Sequence, residues 1–343
     1  MTLRTRFVDA LQGGVPDTVP VWLMRQAGRY LPGYRRLRTE HSILEIARTP
    51  ALAAEVTLEP VRRFDVDAGV VFADITLPYA PMGVDFRIDP GVGPVVTEPI
   101  RDRPAVDRLR PIDAEADLGF VGEAIDRFRD AVPDRPIVGF GGAPFTLAAY
   151  LIEGGASREF AQTKKFLARD PAGFRRLVDR LATATTDYLR MQARHGAAAL
   201  QLFDTWAGVL GRADFAAVVA PSLEGILSEL AATGRPTIYF STSSAHLLPQ
   251  LKRLGATALG VDWRLPLSAV RREVGAAIPL QGNLDPGALL GDADHVRRRA
   301  GDVLRELPDH RGHVFNLGHG VLPETDPERV RDLVEFVHAA GAR

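Results

Sequence analysis

The chain has no cysteine among its 343 residues, which excludes disulfides, iron–sulfur ligation and thiolate zinc sites and fits a reducing compartment. Lysine is nearly absent too. Lys164, Lys165 and Lys252 are the only three, all in polar, helical-looking stretches, so a Schiff-base or pyridoxal mechanism would lack a well-placed amine. No apolar run approaches the roughly eighteen residues of a membrane span, and the opening MTLRTRFVDALQGG carries no apolar signal core. Charge of one sign is also missing: the formal net charge is -1, too little to give the whole molecule a field suited to nucleic acid or acidic membranes. The expectation is a soluble cytoplasmic chain with neither nucleic acid nor membrane as partner.

Against that neutral background one stretch stands out. In TVPVWLMRQAGRYLPGYRRLR (residues 18–38), an apolar segment is followed by Arg25, Arg29, Arg35, Arg36 and Arg38, with no acid until Glu40. Gln26-Ala27-Gly28 and Pro32-Gly33 interrupt the pattern, so the guanidiniums are expected on a loop or short turns rather than on one helix face. A solvated basic face or an RNA-binding patch has the same composition. Trp22, Tyr30 and Tyr34 lie among the charges, however, which suggests a cleft for a flat, multiply charged organic anion.

Short apolar runs rich in Val, Ile, Leu and Phe recur with helical stretches between most of them. In order they are 18–24, 68–75, 136–142, 198–206, 236–242, 258–263, 279–283 and 313–318. Helix signals separate them: Ser42 with Glu45 as a capping box, proline after Thr49, Asp170 and Asp326, and Gly196 and Gly255 where helices end. The segment from Asp170 to His195 predicts the longest helix. Eight strands with helical crossovers predict an α/β fold, a (β/α)8 TIM-type barrel as a single domain over 1–343, with an inserted hairpin around 84–113. A doubly wound dinucleotide fold is the rival, but GVGPVV and GFGGAP lack the strand–turn–helix setting that such a motif needs.

Barrel active sites form at the C-terminal ends of the strands. Those positions hold Arg25 and Arg29 after the first strand, Asp74 at the end of the second, Tyr150 beyond the third, Asp204 and Thr205 ending the fourth, and His319 after the eighth. Asp74, flanked by Phe72, Ala73 and Ile75, needs a charged or hydrogen-bonding partner; a salt bridge to a nearby arginine is one option. Gly318 and Gly320 flank His319 and would let backbone amides approach a ligand. His310, His313 and His319 have no adjacent acid at ligand spacing, so no metal site is expected.

PVWLMRQAGRYLPGYR and GFGGAPFTLAAYLIEGG resemble the two signatures of the uroporphyrinogen decarboxylase family, and FADI, LQLFDTWAG, QGNLDP and NLGHGVLPETDPERV resemble further blocks in the same order. The resemblance covers essentially the whole chain. It implies a cofactor-independent barrel enzyme of haem biosynthesis, usually a homodimer, that converts the four acetates of uroporphyrinogen III to methyls, giving coproporphyrinogen III and four CO2. Carried over by position, substrate binding falls to Arg25, Gln26, Ala27, Gly28, Arg29, Asp74, Tyr150, Thr205 and His319, with Arg38 a weaker candidate. Catalysis falls to Asp74, Arg29 and Arg25. The chain departs from the usual pattern in having Thr205 for a common serine, which keeps the hydroxyl, and Phe145 for a common tryptophan.

A decarboxylase must place two electrons somewhere. Without a suitable lysine, the pyrrole itself can serve: protonation of a ring carbon makes an iminium-like nitrogen, which C–C cleavage neutralises. A carboxylate against the pyrrole N–H groups stabilises that positive charge, and Asp74 suits the part when ionised. The arginines should hold non-reacting carboxylates, because a tight grip on the departing one would favour the ground state. Arginine is a poor acid, which leaves His319, Tyr150 or a water as alternative proton donors. Two rivals remain, a zinc–thiolate methyltransferase of the same superfamily, which the lack of cysteine disfavours, and a noncatalytic tetrapyrrole carrier, which would not need Asp74.

Overall fold

The computed structural model describes residues 3–342; Met1, Thr2 and Arg343, at the ends of the expected domain, lie outside the described residues. Among the described residues nine strands occur: β1 (Gly69–Val70), β2 (Phe86–Asp89), β3 (Gly93–Val96), β4 (Ile137–Gly142), β5 (Ala199–Asp204), β6 (Thr237–Ser241), β7 (Ala258–Gly260), β8 (Leu280–Gln281) and β9 (His313–Val314). Seven of them form one curled sheet in the order β1-β4-β5-β6-β7-β8-β9, every pair parallel. Helices connect most neighbours, as parallel pairing requires. The remaining two, β2 and β3, make the antiparallel hairpin expected within 84–113.

The first expected strand is the exception. Residues 18–24 contribute only a single parallel bridge, Val21 with Phe315. Pro20 has no N–H to give a ladder, although its carbonyl accepts from Phe315 N at 2.8 Å. On the other side the Val21 N–H is taken by a side chain, donating to Asp67 Oδ2 at 2.7 Å, while Asp67 N donates to the Val21 carbonyl at 2.8 Å. The fully buried Asp67 carboxylate also receives Arg6 Nη1 and His338 Nε2. A carboxylate thus replaces part of a ladder. Across the interior, Trp22 Nε1 donates to Gln281 Oε1 at 3.0 Å and Gln281 Nε2 to Gln201 Oε1 at 2.9 Å, linking this segment to β8 and β5.

The helix signals are largely realised. Ser42 and Glu45 form a reciprocal capping box, Asp170 and Asp326 cap helices that begin with proline, and Thr49 precedes a helix-starting Pro50 without a side-chain cap. The longest helix is Pro171–Arg194, with Phe174, Leu177, Leu181 and Tyr188 in the core. Gly196 and Gly255 take left-handed conformations, φ 93° and 87°, which favour glycine.

One local expectation fails. Pro32 does not break structure; it occupies the first turn of a helix, Pro32–Glu40, that carries Arg35, Arg36 and Arg38. Proline is well suited to that place because its missing N–H has no intrahelical partner there anyway. The free N–H groups of Gly33 and Tyr34 donate to the Glu59 carboxylate, both at 3.1 Å, which anchors the helix start and complements its dipole. Only Arg25 and Arg29 remain on the loop.

Candidate active site

The loop after residue 24 is rigid because Gln26 holds it from inside. Gln26 is fully buried; its Oε1 accepts from Leu23 N and its Nε2 donates to the Ala68 carbonyl, both at 3.0 Å, while its own carbonyl accepts from Tyr30 Oη at 2.8 Å. Arg25, beside it, is held at φ 59°, a strained left-handed conformation for an arginine. Ala27 and Gly28 are half-buried, and Arg25 and Arg29 are accessible. Neither arginine forms an ion pair among the described residues, whereas many basic side chains elsewhere on the surface do. Two uncompensated guanidiniums on a fixed loop favour an anion.

Asp74 follows β1 at the same end of the sheet. Its Oδ1 accepts from the Thr76 backbone N at 2.8 Å and from Thr76 Oγ1 at 2.5 Å. No arginine lies within ion-pair distance of Asp74 among the described residues, so the salt-bridge option is not realised. Oδ2 has no protein partner among the described residues, and the half-buried side chain leaves it accessible. Asp74 and Arg25 nevertheless sense each other: burial depresses the Arg25 pKa, Tyr150 and Asp74 oppose that shift, and Arg29 adds to it.

Tyr150 sits on the helix Pro144–Glu153 that follows β4. Its ring packs on Trp206, centroids 4.0 Å apart, and burial, aided by Asp74 and opposed by Arg25, pushes its hydroxyl up to about 12. Trp206 and Thr205 follow β5 directly, and the Thr205 carbonyl accepts from Thr242 Oγ1 at 2.6 Å. Asp204, in contrast, is fully buried and held by three donors: Thr146 N, Thr146 Oγ1 and Tyr239 Oη. Its burial raises the carboxyl to about 6. Asp204 fixes the end of β5 and has no surface to offer a ligand.

His319 reaches the site through the last loop. Val321 N donates to the Met24 carbonyl at 2.9 Å, which ties that loop to the residue before Arg25. The His319 pKa is lowered to about 4 by burial and by the nearby Arg25 and Arg264, against the pull of Asp262. The ring is therefore neutral at physiological pH. Because Nδ1 accepts from Gly320 N at 2.8 Å, the proton of the neutral ring is on Nε2, which can donate to a ligand.

The structure thus places Arg29, Asp74, Tyr150 and His319 each within electrostatic reach of Arg25, and Tyr150 within reach of Asp74, with Thr205 next to the tryptophan that packs on Tyr150. Arg38 stands on the helix beyond the loop, where its Nη1 donates to the His41 carbonyl and it acts on Tyr34 together with Arg29 and Asp74. The aromatic residues expected to line a cleft do not. Trp22 and Tyr30 are fully buried and their polar atoms are engaged in the interior, and Tyr34 packs on Phe72. Aromatic character in a basic run could not be told from core character without knowing which way each side chain points. Reading by motif also passed over Thr76 and Arg264. Arg264 pairs with Asp262 at 2.7 Å and stacks 4.2 Å above the Trp263 ring.

Among the described residues, no three His, Asp or Glu side chains are placed to share a metal ion. His313 is fully buried at the start of β9, apart from His319 in the loop. The lysines stand on outer elements, Lys164 and Lys165 on the helix Ala161–Arg169 and Lys252 pairing with Glu273.

Residues 2–340 match the family described as Uroporphyrinogen decarboxylase (URO-D). Relatives named uroporphyrinogen decarboxylase include one from Sorangium cellulosum, 44% identical over 338 residues, covering 98% of this chain and 97% of the relative. Another, from Thermobifida fusca, is 48% identical over 328 residues, covering 96% and 90%. Among solved structures, a methyltransferase from Methanosarcina mazei superposes with TM-score 0.83 at 22% identity, covering 100% of both chains. A B12-independent methionine synthase from Shewanella sp. W3-18-1 superposes with TM-score 0.56 at 11% identity, covering 85% of this chain and 88% of that one. At those identities the structural likeness concerns the fold alone.

Proposed function

The chain belongs to the uroporphyrinogen decarboxylase family, and from that premise we infer that it removes CO2 from the four acetates of uroporphyrinogen III to give coproporphyrinogen III. The observation that carries the reading is the pairing of a half-pinned carboxylate with an unpaired arginine loop: Asp74 keeps one oxygen open beside two guanidiniums that no protein acid neutralises. An octacarboxylate supplies the missing anions, and its pyrrole N–H groups supply donors for Asp74.

In this mechanism water protonates a pyrrole ring carbon, the nitrogen becomes iminium-like, and Asp74 Oδ2 stabilises the positive charge until C–C cleavage releases CO2. The exocyclic methylene that remains takes a proton to become the methyl as the ring carbon gives its own back, so one proton is consumed per CO2. Preorganisation makes that contact effective, since the carboxylate is already oriented when charge develops. Arg25 and Arg29 hold carboxylates that are not reacting. His319 donates from Nε2 as a neutral group and so orients a carboxylate without competing as a cation. Neither Tyr150, at about 12, nor neutral His319 is a ready proton donor near pH 7. Gln26, buried and fully bonded, serves by shaping the loop, while Ala27, Gly28 and Thr205 contribute contact surface.

Finer assignments belong to the same reading. Residues 18–24 close the sheet into an eight-element barrel, a proposal supported by their hydrogen bonds to Phe315 on one side and Asp67 on the other. The chain acts as one domain, in the cytoplasm, without a cofactor and as a homodimer, as the family resemblance implies. A methyltransferase that activates a thiol on zinc–thiolate would need cysteine, and the chain has none. Anaerobic incubation with uroporphyrinogen III, followed by chromatography of the oxidised porphyrins, tests the reading. Products with seven to four carboxylates are expected; binding without any loss of CO2 would make the protein a carrier.

A further inference from the structure

Thr76 is fully buried, and both hydrogen bonds that fix Asp74 come from it. The backbone N–H and the hydroxyl converge on the same oxygen, Oδ1, at 2.8 and 2.5 Å. A buried hydroxyl without a partner is costly, and among the described residues Asp74 is the only acceptor this one has. The first bond makes an Asx turn, which many two-residue spacings can form. The second depends on the side chain. Together they restrict rotation of the carboxylate and direct the unbonded Oδ2 outward. Thr76 stays in place because the turn runs straight into the 3-10 helix Leu77–Tyr79, whose Tyr79 is itself buried and bonded to the Leu147 carbonyl at 2.7 Å.

We infer that Thr76 is a positioning residue for decarboxylation: its hydroxyl locks Asp74 so that a single oxygen, Oδ2, faces the pyrrole nitrogens of the substrate. The inference rests on the catalytic reading of Asp74 given above. Because the hydroxyl is buried away from solvent and bonded to Asp74 Oδ1, it acts only through the carboxylate. Its effect belongs to the step in which charge develops on the pyrrole, not to the capture of side-chain carboxylates by the arginines.

The test is a double-mutant cycle. Thr76→Val keeps the shape and removes the hydroxyl; kcat should fall about tenfold, the rate equivalent of one hydrogen bond to a charged group, with KM within twofold of wild type. Thr76→Ser should restore most of the rate. In an Asp74→Asn background, Thr76→Val should cost nothing further. Thermal melts of each variant separate this from misfolding. Wild-type turnover by Thr76→Val, the same fold-loss in the Asp74→Asn background, or a serine variant as slow as the valine one would each overturn the inference. If Thr76→Val is fast while Asp74→Asn is inactive, only the positioning role falls. If Asp74→Asn is itself as active as wild type, the catalytic reading of Asp74 falls, and the inference with it.

Discussion

The side chain of Arg25 lies across Gly320: a Cβ built on the glycine would stand 2.3 Å from Arg25 Cδ and 3.0 Å from its Cβ. The glycine is therefore needed to make room for the arginine. Gly318 has a similar reason, since a Cβ there would come within 2.4 Å of the Trp263 backbone nitrogen. Glycines around a histidine suggest amides that approach a ligand; here they allow two protein segments to close on each other.

Gly320→Ala should consequently act as a weakened arginine variant. The added methyl must push Arg25 off its rotamer, and displacement of one charge-assisted contact should raise KM roughly fivefold to tenfold. The melting temperature should change little, because Arg25, although walled in by the cleft, keeps solvent access and makes no ion pair among the described residues. Steady-state kinetics beside a thermal melt decide it; an unchanged KM would mean that Arg25 does not hold substrate in the orientation described.

Arg29→Ala removes one unpaired cation from the loop. Affinity for uroporphyrinogen at low ionic strength should fall by about ten- to a hundredfold, the range for one lost hydrogen bond to a charged group. The gap to wild type should narrow as salt screens the accessible charges. Binding titrations at several salt concentrations measure both. Equal affinity at low salt would place the anion trap elsewhere.

Acid should weaken the fold before the paired surface carboxylates titrate. Burial lowers the His313 pKa from 6.5 to about 4, and His319 is lowered likewise. Between those values the unfolded chain binds protons that the folded chain does not, so stability falls as pH drops through that window. Asp204 acts in the opposite direction. Its carboxyl is raised from 3.8 to about 6, so its contribution is complete at low pH and is lost as pH rises towards 6. Two histidines outweigh one aspartate, and urea midpoints should decline from pH 7 to pH 5. Asp204→Asn should steepen that decline and His313→Gln should flatten it; the reverse order would contradict the assignment.

Much of this was legible in the sequence, and the failures have physical causes. Strand periodicity and capping residues are local, so β4 to β9, the hairpin and the caps at Ser42, Asp170 and Asp326 appear where expected. The segment 18–24 reads as a strand because its residues are apolar, but its pairing depends on Asp67, a side chain that takes a backbone donor's place. Pro32 is ambiguous between breaking a helix and starting one, and Glu59, far along the chain, favours the start. Among site residues, Arg29, Asp74, Tyr150 and His319 come within electrostatic reach of Arg25, a juxtaposition that strand-end logic anticipates. Gln26 is adjacent in sequence yet points inward. Thr76 could have been found from its two-residue spacing to Asp74, which is the signature of an Asx turn.

The last prediction concerns Asp74. Asp74→Asn preserves size and one acceptor but removes the negative charge where positive charge develops, and loss of such a preorganised contact typically lowers the rate by about 10²- to 10³-fold. Because the contact matters chiefly in the transition state, kcat should fall far more than affinity. A purely structural role predicts a different outcome. Asp74 has no ion pair to break, so its architectural contribution is the turn with Thr76; loss of that turn would lower the melting temperature and reduce activity in proportion to the unfolded fraction. Asp74→Glu separates the two further, since it keeps the charge but moves the carboxylate by one methylene beyond the reach of the Asx turn. Under the catalytic assignment both variants remain folded and both are slow, asparagine for want of charge and glutamate for want of position. Measured together, kcat, KM and melting temperature settle the matter: a folded Asp74→Asn that turns over within a few-fold of wild type would leave Asp74 as part of the scaffold.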